Sequence, residues 1–329
     1  MAYPTQTVTL GDVFTRHAYL KIGSSEYKDN KYKNHPVLKL FREKKLSGDG
    51  GPNIVHPVNL GTSANGRSLG RNERFDIVGD ANETWSRWLW SVIIETCFVS
   101  WWDVREARGN QFKMRSILES RMDETKENLE DTLVTQMCQT SAATANDLNP
   151  IMAIVAPTGA IGGLNPATPG QTTWAAETEA TINFSVEGVG RMRMAETKVT
   201  DNKGDIDAWI LPKTYWLEAC EIADNATVIN VDAKTKGGTK YADLGSRLPI
   251  ILGKPVIHDP AWDTAQSAMG VGLDFRGIHL IVDPQWDMYM WPFKEMAHHG
   301  QLGQASLQVE VAQLTASARR WQTSLTSLS

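Results

Sequence analysis

The residues best suited to chemistry lie in one short segment, HDPAWD, at positions 258–263. His258, Asp259 and Asp263 together could support acid–base chemistry, because an imidazole and carboxylates can exchange protons near neutral pH. Pro260 favours another interpretation, since a proline at this point is typical of a turn that ends a strand. A hydrolase that uses these three residues stays open as an alternative.

Patterns for binding metals and phosphates are incomplete in this sequence. The segment DNKGDID at 201–207 spaces its aspartates like a calcium loop, but Ile206 and Pro212 stand where such a loop needs Gly and Glu. We interpret this segment as a solvated surface loop. The adjacent His298 and His299 point apart on a helix or a strand, so one metal rarely binds both. With no GxxxxGK[ST], HExxH or GxSxG motif either, the sequence predicts no catalytic residue, metal site or cofactor.

Tryptophans are concentrated between positions 85 and 102. Stacked aromatic rings beside a basic groove bind single-stranded nucleic acid, and such binding is sensitive to salt. No lysine occurs between Lys45 and Lys113, so we favour packing or interface burial for these rings and keep single-strand binding as an alternative. The tryptophans concerned are Trp85, Trp88, Trp90, Trp101 and Trp102.

Composition excludes several classes of protein. The 329 residues include 33 basic and 38 acidic side chains, giving a net charge of −5, which disfavours a dedicated nucleic-acid-binding module. A hydrophobic share of 41% allows a core, and the length suggests two domains or one large one with insertions. Three unpaired cysteines fit a reducing compartment. Neither a signal peptide nor a membrane-spanning run is expected.

The first elements of the chain cannot bury themselves. Residues 1–45 form a polar, locally basic arm with one short helix beginning at Pro36. A hairpin follows, with Ile54, Val55 and Val58 in one strand, GTSANGRSLGRN at its tip, and Phe75, Ile77 and Val78 in the other strand. An isolated hairpin is marginally stable in water, so we expect arm and hairpin to lie on a larger surface, for example another subunit.

The middle of the chain changes from strand to helix. Alternation from Trp88 to Trp102 predicts a strand covered on both faces, with the even-numbered side chains on one of them. Residues 111–138 predict a long amphipathic helix. Its apolar stripe consists of Met114, Leu118, Met122, Leu129, Leu133 and Met137.

The second half mixes strands and helices. Ile151–Ala156 reads as a strand, a Gly-rich loop spans 157–174, and 205–224 reads as a strand followed by a helix. Further strands are expected at Pro249–Ile257, at Gly277–Val282 and from Ser306, where alternation gives way to a polar tail. The pattern indicates an α+β fold.

This order of elements resembles the major capsid protein of tailed bacteriophages, which has the Hong Kong 97-like shell fold. The segments DAWILPKTYWLEA (207–219) and RLPIILGKPVIHD (247–259) contribute to the resemblance. It implies five parts: an N-terminal arm at 1–45, an extended β-hairpin loop at 46–85, a peripheral domain at 86–174 with its spine helix at 111–138, an axial α/β domain at 175–274, and a return to the peripheral domain at 275–329.

The resemblance also implies a structural function without enzyme activity. Such subunits assemble with themselves into hexamers and pentamers of an icosahedral shell, and the acidic balance here predicts weak, non-specific contact with the packaged double-stranded DNA. Expected partners are a portal protein, a scaffolding protein and a decoration protein, and the expected location is the virion, after the host cytoplasm. An encapsulin, a cellular compartment with the same fold, is the nearest alternative.

Subunit contacts are expected in the arm, at the hairpin tip and in the Gly-rich loop. Some members of this family join subunits by an isopeptide bond from a lysine of the extended loop. The loop at 46–85 has no lysine, so no such crosslink is expected. The residues that we expect at subunit contacts are Phe14, Tyr19, Asn65, Gly66, Arg67, Gly159, Gly162 and Gly163.

Overall fold

In the described part of the computed structural model, the α-helices are from five to 28 residues long. The structure describes residues 35–48, 50–61, 68, 83–106, 111–227, 249–295 and 303–328. Within these ranges the helices are α1 (Pro36–Glu43), α2 (Trp101–Glu106), α3 (Gln111–Cys138), α4 (Ile151–Val155), α5 (Phe184–Asp201), α6 (Lys213–Thr227) and α7 (Pro260–Ala265). Two predictions are confirmed: the short helix begins at Pro36, and the long helix has the expected bounds.

The strands of the described ranges form two larger sheets and one hairpin. In chain order the strands are β1 (Leu46–Ser47), β2 (Asn53–Asn59), β3 (Glu83–Leu89), β4 (Ser91–Ser100), β5 (Glu177–Ile182), β6 (Ala208–Ile210), β7 (Ile250–Ile251), β8 (Lys254–Ile257), β9 (Gly270–Leu273), β10 (Ile278–Val282), β11 (Tyr289–Met290), β12 (Lys294–Glu295), β13 (Gly303–Ala316) and β14 (Thr323–Leu328).

The first sheet is organised around the long strand β13. On one side β13 pairs antiparallel with β4, from Gly303 opposite Ser100 to Ala312 opposite Ser91. On its other side it pairs with β12, β11 and β10, and β1 lies parallel to β10. Helix α3 packs on one face of this sheet, because its buried side chains, among them Leu129 and Leu133, face the strands.

The second sheet has the order β5-β14-β9-β6-β8-β7. Helix α5 packs against it through Phe184 and Val199, and α6 contributes Ala219 to the same cluster. The strand-then-helix prediction for 205–224 is confirmed by β6 and α6. The side chain of Asp259 accepts a hydrogen bond from the Ala261 N–H and so caps α7.

The structure corrects three expectations about local structure. Ile151–Ala156 does not form a strand; five of its residues form α4, and a short apolar run cannot distinguish the two. The C-terminal segment expected to be a polar tail contains strand β14, which lies between β5 and β9 in the second sheet. The strand from Trp88 to Trp102 is interrupted at Trp90 and ends at Ser100, where α2 follows.

The range 275–329 is divided between the two sheets. Its first strands, β10 to β13, belong to the first sheet, whereas β14 belongs to the second. Pro249–Ile257 likewise forms two strands, since a turn with Leu252 at φ 56° and Gly253 at φ 78° separates β7 from β8. Among the helices of the described ranges, none has the length and apolar character needed to span a bilayer.

Candidate functional site

The residues of HDPAWD serve two separate structural purposes. The buried carboxylate of Asp259 accepts hydrogen bonds from the N–H groups of Ala261 (2.9 Å) and Val37 (3.3 Å). Asp263 instead lies 2.6 Å from Nε2 of His258 and accepts a hydrogen bond from the Lys213 N–H at the start of α6. The two carboxylates therefore stabilise different helices, and the three residues do not form one catalytic group.

The aspartates of 201–207 also make protein contacts. Asp205 lies 2.7 Å from the Lys254 ammonium, and Asp207 accepts a hydrogen bond from the Phe275 N–H. Within the described ranges, no three His, Cys, Asp or Glu side chains converge as metal ligands would. His298 and His299 lie outside the described residues.

The tryptophans do not form one surface. Trp88 is buried and donates its indole N–H to Ser86, whereas Trp90 donates to the Gly51 carbonyl. Trp101 and Trp102 are exposed and pack edge to face, with Arg105 above both rings. Since these rings do not share one face, the arrangement does not support a continuous stacking platform for single-stranded nucleic acid.

An exposed apolar surface lies on the part of one sheet face that is formed by β4, β11 and the first half of β13. Cross-strand register places Tyr289, Val309 and Ile94 in one row across β11, β13 and β4, and directly opposed residues share a face. Val309 is buried beneath its neighbours, but the surrounding side chains remain between 39 and 54% exposed. We call this surface the apolar sheet face; its exposed members are Val92, Ile94, Phe98, Tyr289, Trp291 and Leu307.

The opposite face of the same sheet is covered. Ile93, Cys97 and Val99 of β4 alternate with the exposed residues and are buried. Helix α3 covers this side. Burial raises the pKa of the Cys97 thiol, and this effect is larger than the opposite effect of the hydrogen bond with Thr125. The expectation that both faces of β4 are covered is therefore wrong for the isolated chain.

The hairpin of β2 and β3 has an exposed apolar side as well. Its inner side chains, Ile54, Val58 and Trp88, belong to the main hydrophobic core. Val55, Trp85 and Leu89 point the other way and are 44, 57 and 60% exposed. These three residues are named the hairpin outer face below. A soluble monomer rarely exposes two such surfaces unless one of them binds something.

The Gly-rich loop holds the base of the hairpin. The Gly162 carbonyl accepts a hydrogen bond from the Arg87 N–H of β3, and its Cα faces the ring of Trp88. Gly159, Gly162 and Gly163 all have positive φ, a conformation that glycine adopts without strain. Gly159 and Gly163 have open space where a side chain would stand, whereas Gly162 is packed within the chain.

A buried arginine fixes the start of this loop. Arg319 is fully buried, and its guanidinium donates to five backbone carbonyls, from Ala153 to Gly159. Burial lowers the pKa of Arg319 to about 10, so the group is still charged at neutral pH. The sequence did not single out this residue, and no local pattern distinguishes it from the neighbouring Arg320.

Two basic side chains, His35 and Arg42, attach helix α1 to the rest of the described structure. His35 lies 3.2 Å from Asp259 and 3.3 Å from Asp131 of α3. Arg42 donates to Glu130 of α3 (2.8 Å) and to the buried Glu310 of β13 (3.0 Å). These contacts join α1 to the long helix and to the first sheet. The predicted contact residues Phe14, Tyr19, Asn65, Gly66 and Arg67 lie outside the described residues.

The architecture as a whole is the Hong Kong 97-like shell fold, as expected from the order of elements. No protein-family model and no curated protein matches the sequence. Among solved structures, the capsid asymmetric unit of cyanophage A-1(L) matches with a TM-score of 0.64 and 12% identity, over 93% of this chain and 96% of that one.

Two further structures show how widely this fold is used. The capsid of Myoviridae phage XM1 matches with a TM-score of 0.55 and 10% identity, covering 93% of this chain and 96% of its own. The holo-SrpI encapsulin complex from Synechococcus elongatus PCC 7942 matches with a TM-score of 0.56 and 10% identity, over 95% of each chain. At such identities the similarity establishes the fold, which phage capsids and an encapsulin share.

Proposed function

We propose that this protein is the structural major capsid subunit of a tailed phage, and that it assembles into hexamers and pentamers of an icosahedral shell around double-stranded DNA. One observation carries the proposal: a chain with the shell fold leaves both the apolar sheet face and the hairpin outer face uncovered. A heterologous contact, in which one surface of a subunit meets a different surface of the next, closes into rings when the rotation permits.

The two surfaces suit each other chemically. Both are β surfaces with aliphatic and aromatic side chains, and burying such side chains is the main favourable contribution to association. The inner side of the hairpin is packed on its own chain, so the outer face is available to a neighbour. We assign the hairpin outer face of one copy to the apolar sheet face of the next.

Further parts of the proposal rest on the resemblance. They are the five-part division of the chain and the contact residues of the arm (Phe14, Tyr19) and hairpin tip (Asn65, Gly66, Arg67). Gly159 and Gly163 are also proposed contacts, since their open sides leave room for a neighbour. A portal, a scaffolding and a decoration protein are the proposed partners. The proposed location is the virion, after the host cytoplasm, and no enzyme activity is proposed.

Mixing two variants tests the contact. Ile94→Glu disables the apolar sheet face and Trp85→Glu disables the hairpin outer face; each side chain is more than half exposed, so both chains should fold. We expect each variant alone to form no shells, because every contact lacks one surface. A mixture should form dimers that grow no further, since each pair joins one intact hairpin to one intact sheet face. Sedimentation velocity measures this outcome.

Met122→Glu provides the matched control. This side chain is exposed on α3, which covers the other face of the sheet, so the variant should form shells visible by negative-stain microscopy. Shells from either single variant, or a mixture that behaves as the sum of its components, would contradict the assignment.

An encapsulin is the second candidate, because the encapsulin match covers as much of the chain as the phage matches do. The contents of particles isolated from their natural source separate the two. Double-stranded DNA protected from nuclease supports the capsid, whereas a packaged enzyme without DNA supports the encapsulin.

A further inference from the structure

Two histidines lie where the hairpin meets the first sheet. His56, on the inner side of β2, and His279 of β10 have ring centroids 6.1 Å apart. Nε2 of His56 lies 3.1 Å from the hydroxyl of Thr315 on β13, and Nε2 of His279 lies 3.3 Å from the Ser317 hydroxyl. The imidazoles therefore link three strands at the base of the hairpin.

The hydrogen bonds around His56 are compatible with a neutral ring. The Thr315 hydroxyl donates its single proton to the backbone carbonyl of His279, so its oxygen accepts from the His56 Nε2–H. Opposite His56 in the hairpin stands the buried, neutral Ser86, which accepts from Trp88. Ser86 carries no charge that would stabilise a second proton on His56.

Few charged groups act on the pair. When His279 is protonated, its charge disfavours the cation of His56. Asp274 and the Arg276 backbone favour a charged His279, but the Asp274 carboxylate is already paired with the Arg276 guanidinium at 2.7 Å. Arg87 of β3 is exposed on the other side of the hairpin. Burial is the largest influence on both rings and lowers the pKa of each below its ordinary 6.5.

We propose that His56 and His279 form an acid-sensitive latch, which holds the β2–β3 hairpin on the first sheet while both rings are neutral and releases it when they are protonated. Two cations 6 Å apart in a half-buried site repel each other, and an undocked hairpin relieves both the repulsion and the burial. A lowered histidine pKa means that docking is fully stable above about 6.5 and weakens as the pH falls below it. The latch does not depend on the shell function.

Hydrogen exchange of the full chain, monitored by mass spectrometry, tests the latch. After correction for intrinsic rates, peptides covering β2 and β3 should exchange at least tenfold faster at pH 5.0 than at pH 7.5, while β5 and β14 change little. The double variant His56→Gln, His279→Gln should lose this difference. His258→Gln removes a histidine bonded to Asp263 instead, and it should behave as the wild type.

Exchange that is equal at both pH values in the wild type, or an acid effect that persists in the double variant, would overturn the proposal. Should the double variant fail to fold, NMR titration of the wild type and of His279→Asn decides. Both imidazole midpoints should lie below 6.5, and replacing His279 should raise the midpoint of His56. An unchanged His56 midpoint would refute the coupling between the rings.

Discussion

Arg319 shows how one residue can organise a loop without an opposite charge. Its guanidinium satisfies carbonyls at and beyond the end of α4, a helix terminus that otherwise leaves its last C=O groups unpaired. A planar group with five N–H donors can reach several carbonyls at once, which an ammonium cannot. The contact therefore determines where the Gly-rich loop begins, and through that loop it supports the hairpin.

Replacing Arg319 should be costly. We expect Arg319→Met to lower the free energy of unfolding by about 3 kcal/mol or more, since several buried carbonyls lose their donors. Arg319→Lys should recover only part of this loss. The adjacent Arg320 is half exposed and lies 3.8 Å from Glu177, so Arg320→Met should change stability by less than about 0.5 kcal/mol. Urea unfolding measures the free energy of unfolding of all three variants. Equal losses for Arg319→Met and Arg320→Met would contradict a special role of Arg319 in the loop.

His35 should make stability depend on pH in the opposite sense to the hairpin histidines. Burial disfavours its charged form, but the hydrogen bond and charge of Asp259, together with Asp131, outweigh burial and raise the pKa of His35 above 6.5. A raised histidine pKa stabilises the fold below 6.5, and this contribution is lost as the pH rises through the folded value. His35→Gln should therefore lower the free energy of unfolding by more at pH 6 than at pH 9.

Denaturant unfolding of the wild type and His35→Gln at both pH values gives the comparison. The difference between the two proteins cancels the contributions of the other histidines. A loss that is constant across this range would show that the imidazole contributes only neutral contacts.

Individual residues were the hardest to predict. At 258–263 the favoured interpretation, a turn that ends a strand, agrees with the end of β8 at Ile257. The backbone contacts of Asp259 and Asp263 could not be predicted, because they involve Val37 and Lys213, which are far away in sequence. Arg319 was missed because its acceptors lie 160 or more positions earlier in the chain. Whether a polar group is buried depends on contacts between residues that are far apart in sequence, and the spacing of neighbouring residues does not reveal such contacts.

Elements were predicted best where they are long. Helix α3 was recognised by its helical period. Its apolar stripe is only partly buried: Leu129, Leu133 and Met137 are covered, and Met122 is exposed. Alternation identified β4 as a strand, but it could not tell which face would be covered. The polar composition of β14 concealed a strand whose hydroxyls bond to its neighbours, as in Ser324 with Thr178.

Gly162 is the residue at which the Gly-rich loop contacts the hairpin, so a side chain at this position should disturb the packing of both segments. A Cβ there would stand 2.8 Å from the Trp88 ring, and φ is +62°, so Gly162→Ala adds a clash to the conformational penalty. Gly163 has φ +77° with no atom within 4 Å, so Gly163→Ala pays the conformational penalty alone.

We expect Gly162→Ala to be less stable than Gly163→Ala by roughly 1–3 kcal/mol, the usual cost of overpacking. Thermal unfolding of the two variants measures the difference. Equal melting temperatures would indicate that the loop moves away from Trp88 without cost.

At the scale of the whole molecule, the proposed self-assembly accounts for the large apolar surface that the chain leaves exposed. The shell fold was predictable because the order of elements carries it, whereas the exposed faces became visible only once strand register was known. The lysine-free loop at 46–85 leads to a further expectation: assembled particles should dissociate into single chains on a denaturing gel. A ladder of covalently joined subunits would contradict it.

The position of β14 also has a consequence for synthesis. This strand lies between β5 and β9, yet the ribosome makes it after every other strand of that sheet. Until β14 has emerged, β5 lacks a partner in the second sheet, and a truncated product cannot complete it. Only a chain that is translated through β14 can therefore complete the second sheet, and a chain that stops earlier leaves β5 without its partner strand.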